Sequence, residues 1–340
     1  MITTIKDIAA QIFYATGAAS LSLKQASRRK ALILSYHHVI PRRLIRENSL
    51  MTGMYLSSES FEDHLDWLVK HFRVMPLEKI IGMIRSGTRW EKALCAVTFD
   101  DGWKDVYDHA FPLLRKHSVP ATVFSVGSMI GLQGPGDLDS VFEAIQMADN
   151  VSDAAVSGIS EIDALIRSDA IQDRVEKARQ VTDLFRELPY NKYKEACANI
   201  NRYLYNTFDL DPVRWKYRTM SWDEMRELQK HAIDFGYHSK THPMLTKVPD
   251  SLLETEIALP FEEYKKEGIF LKPIFCYPDG KFSGAAMSVL EDEGYAGAVT
   301  LQRGYNDSAT APFLLKRINI HEGNAGKRAR FVSSIGIQNR

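Results

Sequence analysis

The 340-residue chain is 45% hydrophobic and 25% charged, which excludes wholesale disorder and allows one large α/β domain or two smaller ones. Its 43 Lys and Arg residues balance its 43 Asp and Glu residues, so no global charge attracts nucleic acid, and we expect a neutral or locally recognised ligand. Its three cysteines, Cys95, Cys197 and Cys276, lack metal-type spacing and argue against a disulfide framework, which fits a reducing compartment.

The N-terminus is moderately apolar between residues 8 and 23. Asp7 precedes this stretch, and Gln11 and Thr16 interrupt it, so it is too short and too polar to span a bilayer. We predict that residues 1–30 form a helical segment that packs on the domain or touches a membrane surface, in preference to a signal peptide. This predicts a cytoplasmic protein, with peripheral membrane association or export as alternatives, and leaves the oligomeric state open.

The first group of predicted elements alternates strands and helices. The apolar run ALILSYHHVI at residues 31–40 predicts a strand that is buried on both faces. Helices are predicted at residues 58–71 and 77–84, followed by a strand at 94–99 that an acidic turn ends abruptly. A helical stretch then leads to a strand at 120–126. These repeated βα units predict a parallel sheet.

Residues 131–220 contain little strand-like sequence. They begin with a Gly- and Pro-rich loop, and helical periodicity with many charged residues follows at 162–188 and 192–205. We predict that this region is a helical insertion or lid between two groups of βα units.

A second group of βα units follows the insertion. Its predicted strands lie at residues 232–237, 273–277 and 296–300, and its predicted helices at 251–266 and 285–293. The combined strand count fits a closed or nearly closed barrel. The barrel would then consist of residues 31–130 and 221–325, with residues 326–340 as a C-terminal tail.

Three polar motifs each follow a predicted strand: TFDDG at residues 98–102, HSKTH at 238–242 and YPDG at 277–280. In parallel βα architectures the C-terminal ends of the strands converge on one rim, so loops far apart in sequence assemble one site there. These motifs therefore predict a single site at the C-terminal rim of the sheet.

The residue types in these motifs fit a catalytic metal centre. One carboxylate and two imidazoles form a usual set of ligands for Zn²⁺ or a similar divalent ion, with positions left open for water and substrate. His238 and His242 supply the imidazoles, in a loop that precedes Pro243. Asp100 and Asp101 leave the strand in different directions, so one of them can bind the metal while the other accepts a proton.

These motifs resemble those of the polysaccharide deacetylases, the carbohydrate esterase family 4 group that includes chitooligosaccharide and peptidoglycan deacetylases. In that family TFDDG supplies the catalytic base and then a metal ligand, which map onto Asp100 and Asp101. The H-S/T-x-x-H motif maps onto His238, Ser239 and His242, and the surrounding FGYHSKTHPMLTKV also fits. The resemblance implies an α/β fold, a distorted (β/α)7 barrel, here with a helical insertion.

The resemblance also implies a reaction, the hydrolysis of an acetamide on an amino sugar of a bacterial surface polysaccharide or its precursor. One divalent metal is implied, with Zn²⁺ favoured over Co²⁺, Ni²⁺ or Mn²⁺. Asp100 would remove a proton from a metal-activated water. Two alternatives stay open: another metal-dependent amidohydrolase acting on a small amide or a formylated amino sugar, and a catalytically silent carbohydrate-binding relative.

The chain departs from the family where many members carry Arg-x-Pro-Tyr, because it has Cys276, Tyr277, Pro278 and Asp279 there. The arginine that would pair with the catalytic aspartate is absent, and Arg317 or Arg303 is the candidate replacement. The main-chain N–H of Asp279 can still serve as an oxyanion donor. The candidate substrate-binding residues are Tyr277, Pro278, Asp279, Arg317, Trp103 and His37.

The general acid is not resolved by sequence. The family's Leu-x-x-His motif has its closest counterpart at His321, while His37 or His38 in SYHHV could approach the site instead. Alternation along a strand lets only one of these two neighbours face the barrel interior. Trp103 after the DDG turn is expected to stack on a sugar or to pack structurally. The insertion is expected to border the rim and to restrict which glycans enter.

Overall fold

The computed structural model describes residues 5–17, 29–47, 53–132, 141, 145, 156–168, 171, 173–207 and 218–336. Its strands are β1 (Ala31–Tyr36), β2 (His38–Ile40), β3 (Tyr55–Ser57), β4 (Arg73–Val74), β5 (Leu94–Phe99), β6 (Ala121–Ser125), β7 (Ile233–Tyr237), β8 (Leu271–Cys276), β9 (Gly297–Val299) and β10 (Ile318–Asn319). The main sheet has the order β10-β1-β5-β6-β7-β8-β9, with β4 paired to β5, and all its pairings are parallel. The strands β2 and β3 form a separate pair.

The described helices are α1 (Ile5–Ala15), α2 (Arg42–Glu47), α3 (Ser58–His71), α4 (Leu77–Arg85), α5 (Phe111–His117), α6 (Ser160–Arg167), α7 (Arg174–Glu187), α8 (Tyr190–Thr207), α9 (Trp222–Gln229), α10 (Asp250–Ile257), α11 (Phe261–Lys266), α12 (Gly284–Asp292), α13 (Glu322–Ala325) and α14 (Arg328–Gly336). Several begin at polar caps that satisfy free backbone N–H groups. The Ser57 side chain accepts from the Ser60 N–H at the start of α3, and Ser221 and Glu224 form a capping box at α9.

One segment links the last strand of the sheet to the first. Leu315 forms a parallel bridge with Val299 of β9, and the Thr300 N–H donates to the Leu315 carbonyl at 2.8 Å. A few residues later β10 pairs with β1, with Leu34 opposite Ile318. The parallel sheet therefore curls around with its helices outside, which confirms the predicted α/β fold, a distorted (β/α)7 barrel.

The barrel strands are buried as their apolar sequences predict. Every residue of β1, β5 and β6 is buried, so both faces of these strands are covered. One predicted strand is divided, because β1 ends at Tyr36 and residues 38–40 pair with β3 instead. The predicted helix at 251–266 is also divided, into α10 and α11, and Pro260 stands at the break because proline cannot continue a helix.

The C-terminal region differs from the predicted tail. Residues Arg328–Gly336 form the helix α14, and the side chains of Phe331, Val332 and Ile335 are fully buried. These apolar residues recur at helical spacing and cover the outside of the barrel, which explains why the segment is ordered. Because this helical pattern spans only nine residues, the sequence predicted a tail here and not a helix.

The N-terminal helix α1 packs against α14. The buried carboxylate of Asp7 lies 3.1 Å from Lys327 and 3.2 Å from Arg330, and these ion pairs tie the two helices together. On the other side of α1, Ile8 and Ile12 are 49% and 59% exposed. Within the described ranges no helix has both the length and the apolar character to cross a bilayer. Contact of this helix with a membrane surface stays a prediction.

The described part of residues 131–220 is helical, in agreement with the sequence pattern. The helices α6, α7 and α8 pack around a hydrophobic cluster of their own, which includes Val181, Phe185 and Ile200. The Asp173 side chain caps α7 by accepting from the Val175 N–H at 2.9 Å. This cluster is separate from the two clusters that fill the barrel.

Candidate functional site

The three polar motifs come together at the C-terminal rim of the barrel. Asp100 and Asp101 directly follow β5, His238 follows β7, and Tyr277 follows β8. Backbone hydrogen bonds fix the points where the chain leaves these strands. The Asp100 N–H donates to the Tyr36 carbonyl at 3.0 Å, and the His238 N–H donates to the Ser125 carbonyl at 3.0 Å. Neighbouring strands therefore set the positions of residues that are far apart in sequence.

The backbone of these loops is strained. Asp101, Ser239, His242 and Asp279 have φ values of 70°, 65°, 57° and 52°. They are four of the seven non-glycine residues with positive φ among the described residues. This conformation costs about 1–3 kcal/mol for each residue, and such strain persists where the surrounding fold imposes it, typically at functional sites. The strain turns the Asp101 and His242 side chains toward a common point.

Three donor atoms form a nearly equilateral triangle at that point. The Asp101 Oδ1 lies 3.5 Å from the His238 Nε2 and 3.4 Å from the His242 Nε2, and the two Nε2 atoms are 3.2 Å apart. Tetrahedral bonds of about 2.0–2.1 Å to zinc separate neighbouring ligand atoms by about 3.3–3.4 Å. The residues present therefore fit a divalent ion, as their chemistry predicts.

Neighbouring groups orient two of these ligands. The His238 Nδ1–H donates to the Cys276 carbonyl at 2.7 Å, which leaves the lone pair of Nε2 free for a metal. The Trp103 Nε1–H donates to the Asp101 Oδ2 at 2.9 Å, so Oδ1 is the oxygen directed at the two imidazoles. Burial opposes ionisation of Asp101, but its contacts with the His238 and His242 imidazoles prevail and hold the pKa of Asp101 well below its usual range.

The second carboxylate, Asp100, is held by an arginine fork. Its two oxygens lie 2.7 Å and 2.8 Å from the two terminal nitrogens of Arg317, and the Ser35 hydroxyl donates to Oδ2 at 3.2 Å. Both partners of the fork are buried. Burial opposes ionisation of Asp100, but the Arg317 cation and His37 prevail and lower its pKa.

Arg317 is therefore the cation expected in place of the missing family arginine. Its Nε also donates to the Thr300 carbonyl at 2.9 Å, which fixes the guanidinium plane. The other candidate, Arg303, donates instead to the Ser334 carbonyl. Arg317 was also predicted to bind substrate, but it is only 1% exposed and its donors are directed into the protein, so the structure does not place it against a ligand.

A second group of possible ligands overlaps the first and is made of Asp100, His238 and Cys276. Its carboxylate is occupied by the arginine fork, and Arg317 Nη2 lies 3.1 Å from the Cys276 sulfur. A cation at that distance disfavours a metal ion. Burial raises the pKa of the Cys276 thiol, so this cysteine is a buried thiol as the sequence suggested.

The two adjacent histidines of SYHHV take opposite directions. The His37 Nε2 lies 3.7 Å from the Asp100 Oδ2, at the site. His38 pairs with Asp105 and stacks on the Trp103 ring, with centroids 4.6 Å apart. His321 has no recorded hydrogen bond at its buried Nδ1 within the described residues, and burial followed by the charge of His37 lowers its pKa. His37 is thus the histidine next to Asp100.

Two expected sugar contacts are not present. Trp103 is 1% exposed and Tyr277 is 0% exposed, so neither ring can stack on a substrate in this conformation. Trp103 orients Asp101 instead, and Tyr277 packs in the barrel core. Pro278 is also buried. The Asp279 N–H donates no hydrogen bond within the described chain, so it remains available as the predicted oxyanion donor.

The insertion contacts the rim next to the metal ligands. The Arg186 Nε lies 3.4 Å from the Asp279 Oδ2, and the Tyr190 hydroxyl donates to Glu256 at 3.2 Å. A recess beside His242 is lined by residues from both regions: Phe185, Leu188, Tyr190 and Tyr193 from the insertion, and Pro243 and Met244 from the rim. The insertion therefore borders the site, as its position between two rim loops predicted.

The sequence did not indicate Ser35, and it indicated Trp103 as a stacking or packing residue, not as the residue that orients Asp101. A weak signal existed for Ser35, because it lies two residues before His37 on an extended segment and so faces the same side. The role of Trp103 had no local signal, since its indole N–H reaches Asp101 only in the folded turn.

Comparison with known proteins shows which proteins this chain resembles. A family model described as polysaccharide deacetylase matches residues 88–162. The poly-beta-1,6-N-acetyl-D-glucosamine N-deacetylase of Staphylococcus epidermidis is 30% identical over 112 residues, 31% of this chain and 38% of its own length. The Staphylococcus aureus protein of the same name is 27% identical over 124 residues, 33% of this chain and 41% of its own. The chain thus spans less than half the length of these relatives.

Solved structures share the fold over most of the chain. The Streptococcus pyogenes deacetylase PplD, in complex with acetate, superposes with a TM-score of 0.56 at 15% identity and covers 91% of this chain and 99% of its own. IcaB from Ammonifex degensii gives a TM-score of 0.56 at 17% identity, over 90% of this chain and 97% of its own. The resemblance to polysaccharide deacetylases is therefore confirmed: a family model of that description matches residues 88–162, and the fold is shared with solved deacetylase structures.

Proposed function

We propose that this protein is a metal-dependent N-deacetylase that removes the acetyl group from an amino sugar of a polysaccharide or its precursor. The observation that carries the proposal is the triangle of donor atoms on Asp101, His238 and His242 beside the arginine-bound carboxylate of Asp100. A metal-dependent hydrolase needs both a ligand set with open positions and a separate carboxylate.

Asp101, His238 and His242 would hold one divalent ion, for which we propose Zn²⁺, with Co²⁺, Ni²⁺ or Mn²⁺ as alternatives. When bound, the ion would supply Lewis acidity to an amide carbonyl and a water molecule. Trp103 and the Cys276 carbonyl keep the ligand atoms of Asp101 and His238 directed at the site. Because these partners are in place before any ligand arrives, little reorganisation is required.

Asp100 is the proposed base. Its lowered pKa keeps it ionised at neutral pH, so it can accept a proton from the attacking water. Arg317 and Ser35 hold both oxygens in one orientation while lone pairs remain free to accept that proton. The Asp279 N–H would donate to the oxygen that becomes negative as the carbonyl is attacked.

His37 is the residue we propose as the acid that protonates the leaving amine, in place of His321. Its Nε2 lies 3.7 Å from the Asp100 Oδ2, close to the proton that Asp100 receives. No contact of His321 with Asp100 or with the three proposed metal ligands is recorded among the described residues. The bidentate Arg317 also weakens the case for a silent relative, because the segment directly before β10 supplies the expected cation.

The substrate proposal rests on the relatives. Those from Staphylococcus are named for poly-β-1,6-N-acetyl-D-glucosamine, so we propose an N-acetylhexosamine unit in a bacterial surface polysaccharide or its precursor. The recess beside His242 is lined in part by the insertion, so residues of the insertion lie next to the proposed metal site.

The test is hydrolysis by the metal-loaded protein, measured as acetate released from N-acetyl substrates and as formate released from an N-formyl substrate. We would offer poly-β-1,6-N-acetyl-D-glucosamine, a chitooligosaccharide, a small acetamide and a formylated amino sugar, with Asp101→Ala as the control. Acetate from either glycan supports the proposal. Turnover confined to the small amide or the formyl group would favour another amidohydrolase, and no turnover at full metal occupancy would indicate a silent relative.

A further inference from the structure

A second cavity, of about 550 Å³, lies on the outside of the barrel near the N-terminal end of β1. It is lined by the loop after β9 and by the start of β10, and none of the proposed metal ligands or catalytic residues borders it. Lys316 and Arg317 are adjacent on the same extended segment but face opposite sides, so Arg317 enters the barrel while Lys316 lines this cavity.

The cavity carries uncompensated positive charge. Lys30, Arg303 and Lys316 line it, and none of the three forms an ion pair with any residue in the described ranges. The one carboxylate in the lining, that of Asp307, accepts the Ala309 N–H at 3.0 Å within its own turn. Three cations thus face a space with a single acidic group that is already hydrogen-bonded.

The walls of the cavity are held rigidly. Asn306 and Ala31 exchange backbone hydrogen bonds of 2.7 Å and 2.9 Å. The Asn306 side chain donates to the Lys316 carbonyl and accepts from the Lys316 N–H, each at 2.8 Å. A side chain at Gly304 would lie 2.8 Å from the Lys316 Cδ, so the glycine leaves room for the lysine stem. A site built this way requires little ordering when a ligand binds.

Arg303 lines the cavity without an acidic partner among the described residues. Desolvation lowers its pKa, and in the described ranges no carboxylate offsets that effect. Its guanidinium donates to the Ser334 carbonyl, which positions one side of the group while other N–H donors remain. A bound anion would supply acceptors for these remaining donors.

We propose that this cavity binds a ligand that carries a diphosphate group. Arginine and lysine are the usual partners of phosphate oxygens, and two linked phosphates provide enough charge to match three cations. The volume exceeds that of a diphosphate and leaves room for an attached organic group. The inference does not depend on the proposed deacetylase function.

The test uses the full-length protein and inorganic pyrophosphate as the probe, with titration calorimetry as the readout. Lys316→Gln and Arg303→Gln should each weaken binding by about tenfold or more, because each removes a charge-assisted contact. Lys265→Gln, an exposed lysine outside the cavity, is the matched control and should bind like the wild type. Binding should also weaken as salt is raised.

Pyrophosphate can also reach a metal centre, so Asp101→Ala is included. Retained binding in that variant, together with loss in Lys316→Gln, supports the cavity. Loss in Asp101→Ala with no effect of Lys316→Gln or Arg303→Gln would overturn it, as would no binding to the wild type. Vesicles of phosphatidylcholine with and without a long-chain alkyl diphosphate distinguish a lipid-borne diphosphate from a soluble one. Vesicle binding that requires both the lipid diphosphate and Lys316 supports a lipid ligand. Lys316-dependent pyrophosphate binding with no vesicle binding supports a soluble ligand.

Discussion

At the barrel rim, Asp100 and Asp101 are 2% and 6% exposed, and each of their oxygens has a partner. Where the insertion meets the rim, the side chains of Arg186 and Asp279 are 32% and 26% exposed and share a single 3.4 Å contact. Buried, multiply bonded groups lose far more when one partner is removed than half-exposed pairs do. The chemistry should therefore depend on the rim, and the choice of substrate on the insertion.

The largest expected effect is the loss of a metal ligand at the rim. Asp101→Ala should abolish metal binding and activity together, because it removes the one carboxylate of the donor triangle. Elemental analysis and acetate release measure the two effects. Asp223→Ala, whose side chain is 88% exposed, is the control and should change neither. A variant of Asp101 that kept metal and turnover would contradict the assignment.

The next effect separates the two neighbouring carboxylates. Asp100→Asn should lower turnover by about 10²–10⁴-fold, because it removes the base while metal content stays near that of the wild type. It also leaves the buried Arg317 without its anion, which typically costs about 3–5 kcal/mol, so unfolding must be measured alongside. The double variant Asp100→Asn with Arg317→Gln removes that unpaired charge. Full activity in either folded variant would refute the role of Asp100.

Acid should destabilise the barrel because a buried histidine there becomes protonated. The insertion should not be destabilised in this way. His64 is buried between Tyr36 and Phe331, donates to the Ala325 carbonyl at 2.8 Å, and burial lowers its pKa to about 4. Residues 131–220 contain no histidine. The unfolded chain binds this proton below about pH 6.5 and the folded chain only below about pH 4, so stability should fall as pH decreases between these values.

The expected loss from His64 is about 2 kcal/mol between pH 7 and pH 5. Urea denaturation at the two pH values measures it, with His64→Gln as the comparison because glutamine does not titrate. The difference between the two proteins isolates this histidine from the others. An equal pH dependence in both would show that the buried His64 does not contribute.

The smallest effect belongs to the insertion. Arg186→Gln removes the contact with Asp279 and should raise KM for an oligosaccharide by at most about fivefold, with kcat near that of the wild type, because a partly exposed pair contributes about 1 kcal/mol or less. Arg179→Gln on the same helix, whose partners are Glu176 and Asp183, is the matched control. A large fall in kcat for Arg186→Gln alone would place the insertion in the chemistry.

The barrel strands and the donor set could be predicted from the sequence because their signals are local. Apolar runs of five or six residues predict buried strands, and the polar residues that follow them must lie at the rim of a parallel sheet. Residue type and order predicted a carboxylate together with His238 and His242, and the family resemblance selected Asp101 as that carboxylate. The helical insertion followed from its periodicity.

Only the tertiary structure determines which residues orient the proposed metal ligands and Asp100. Arg317 reaches Asp100 because β10 pairs with β1, which in turn pairs with β5, a register that no local pattern encodes. The choice of His37 over His38 depends on where β1 leaves the barrel, and the burial of Trp103 depends on the packing of the turn around it. Such contacts join residues up to about two hundred positions apart, and only the folded chain determines their geometry.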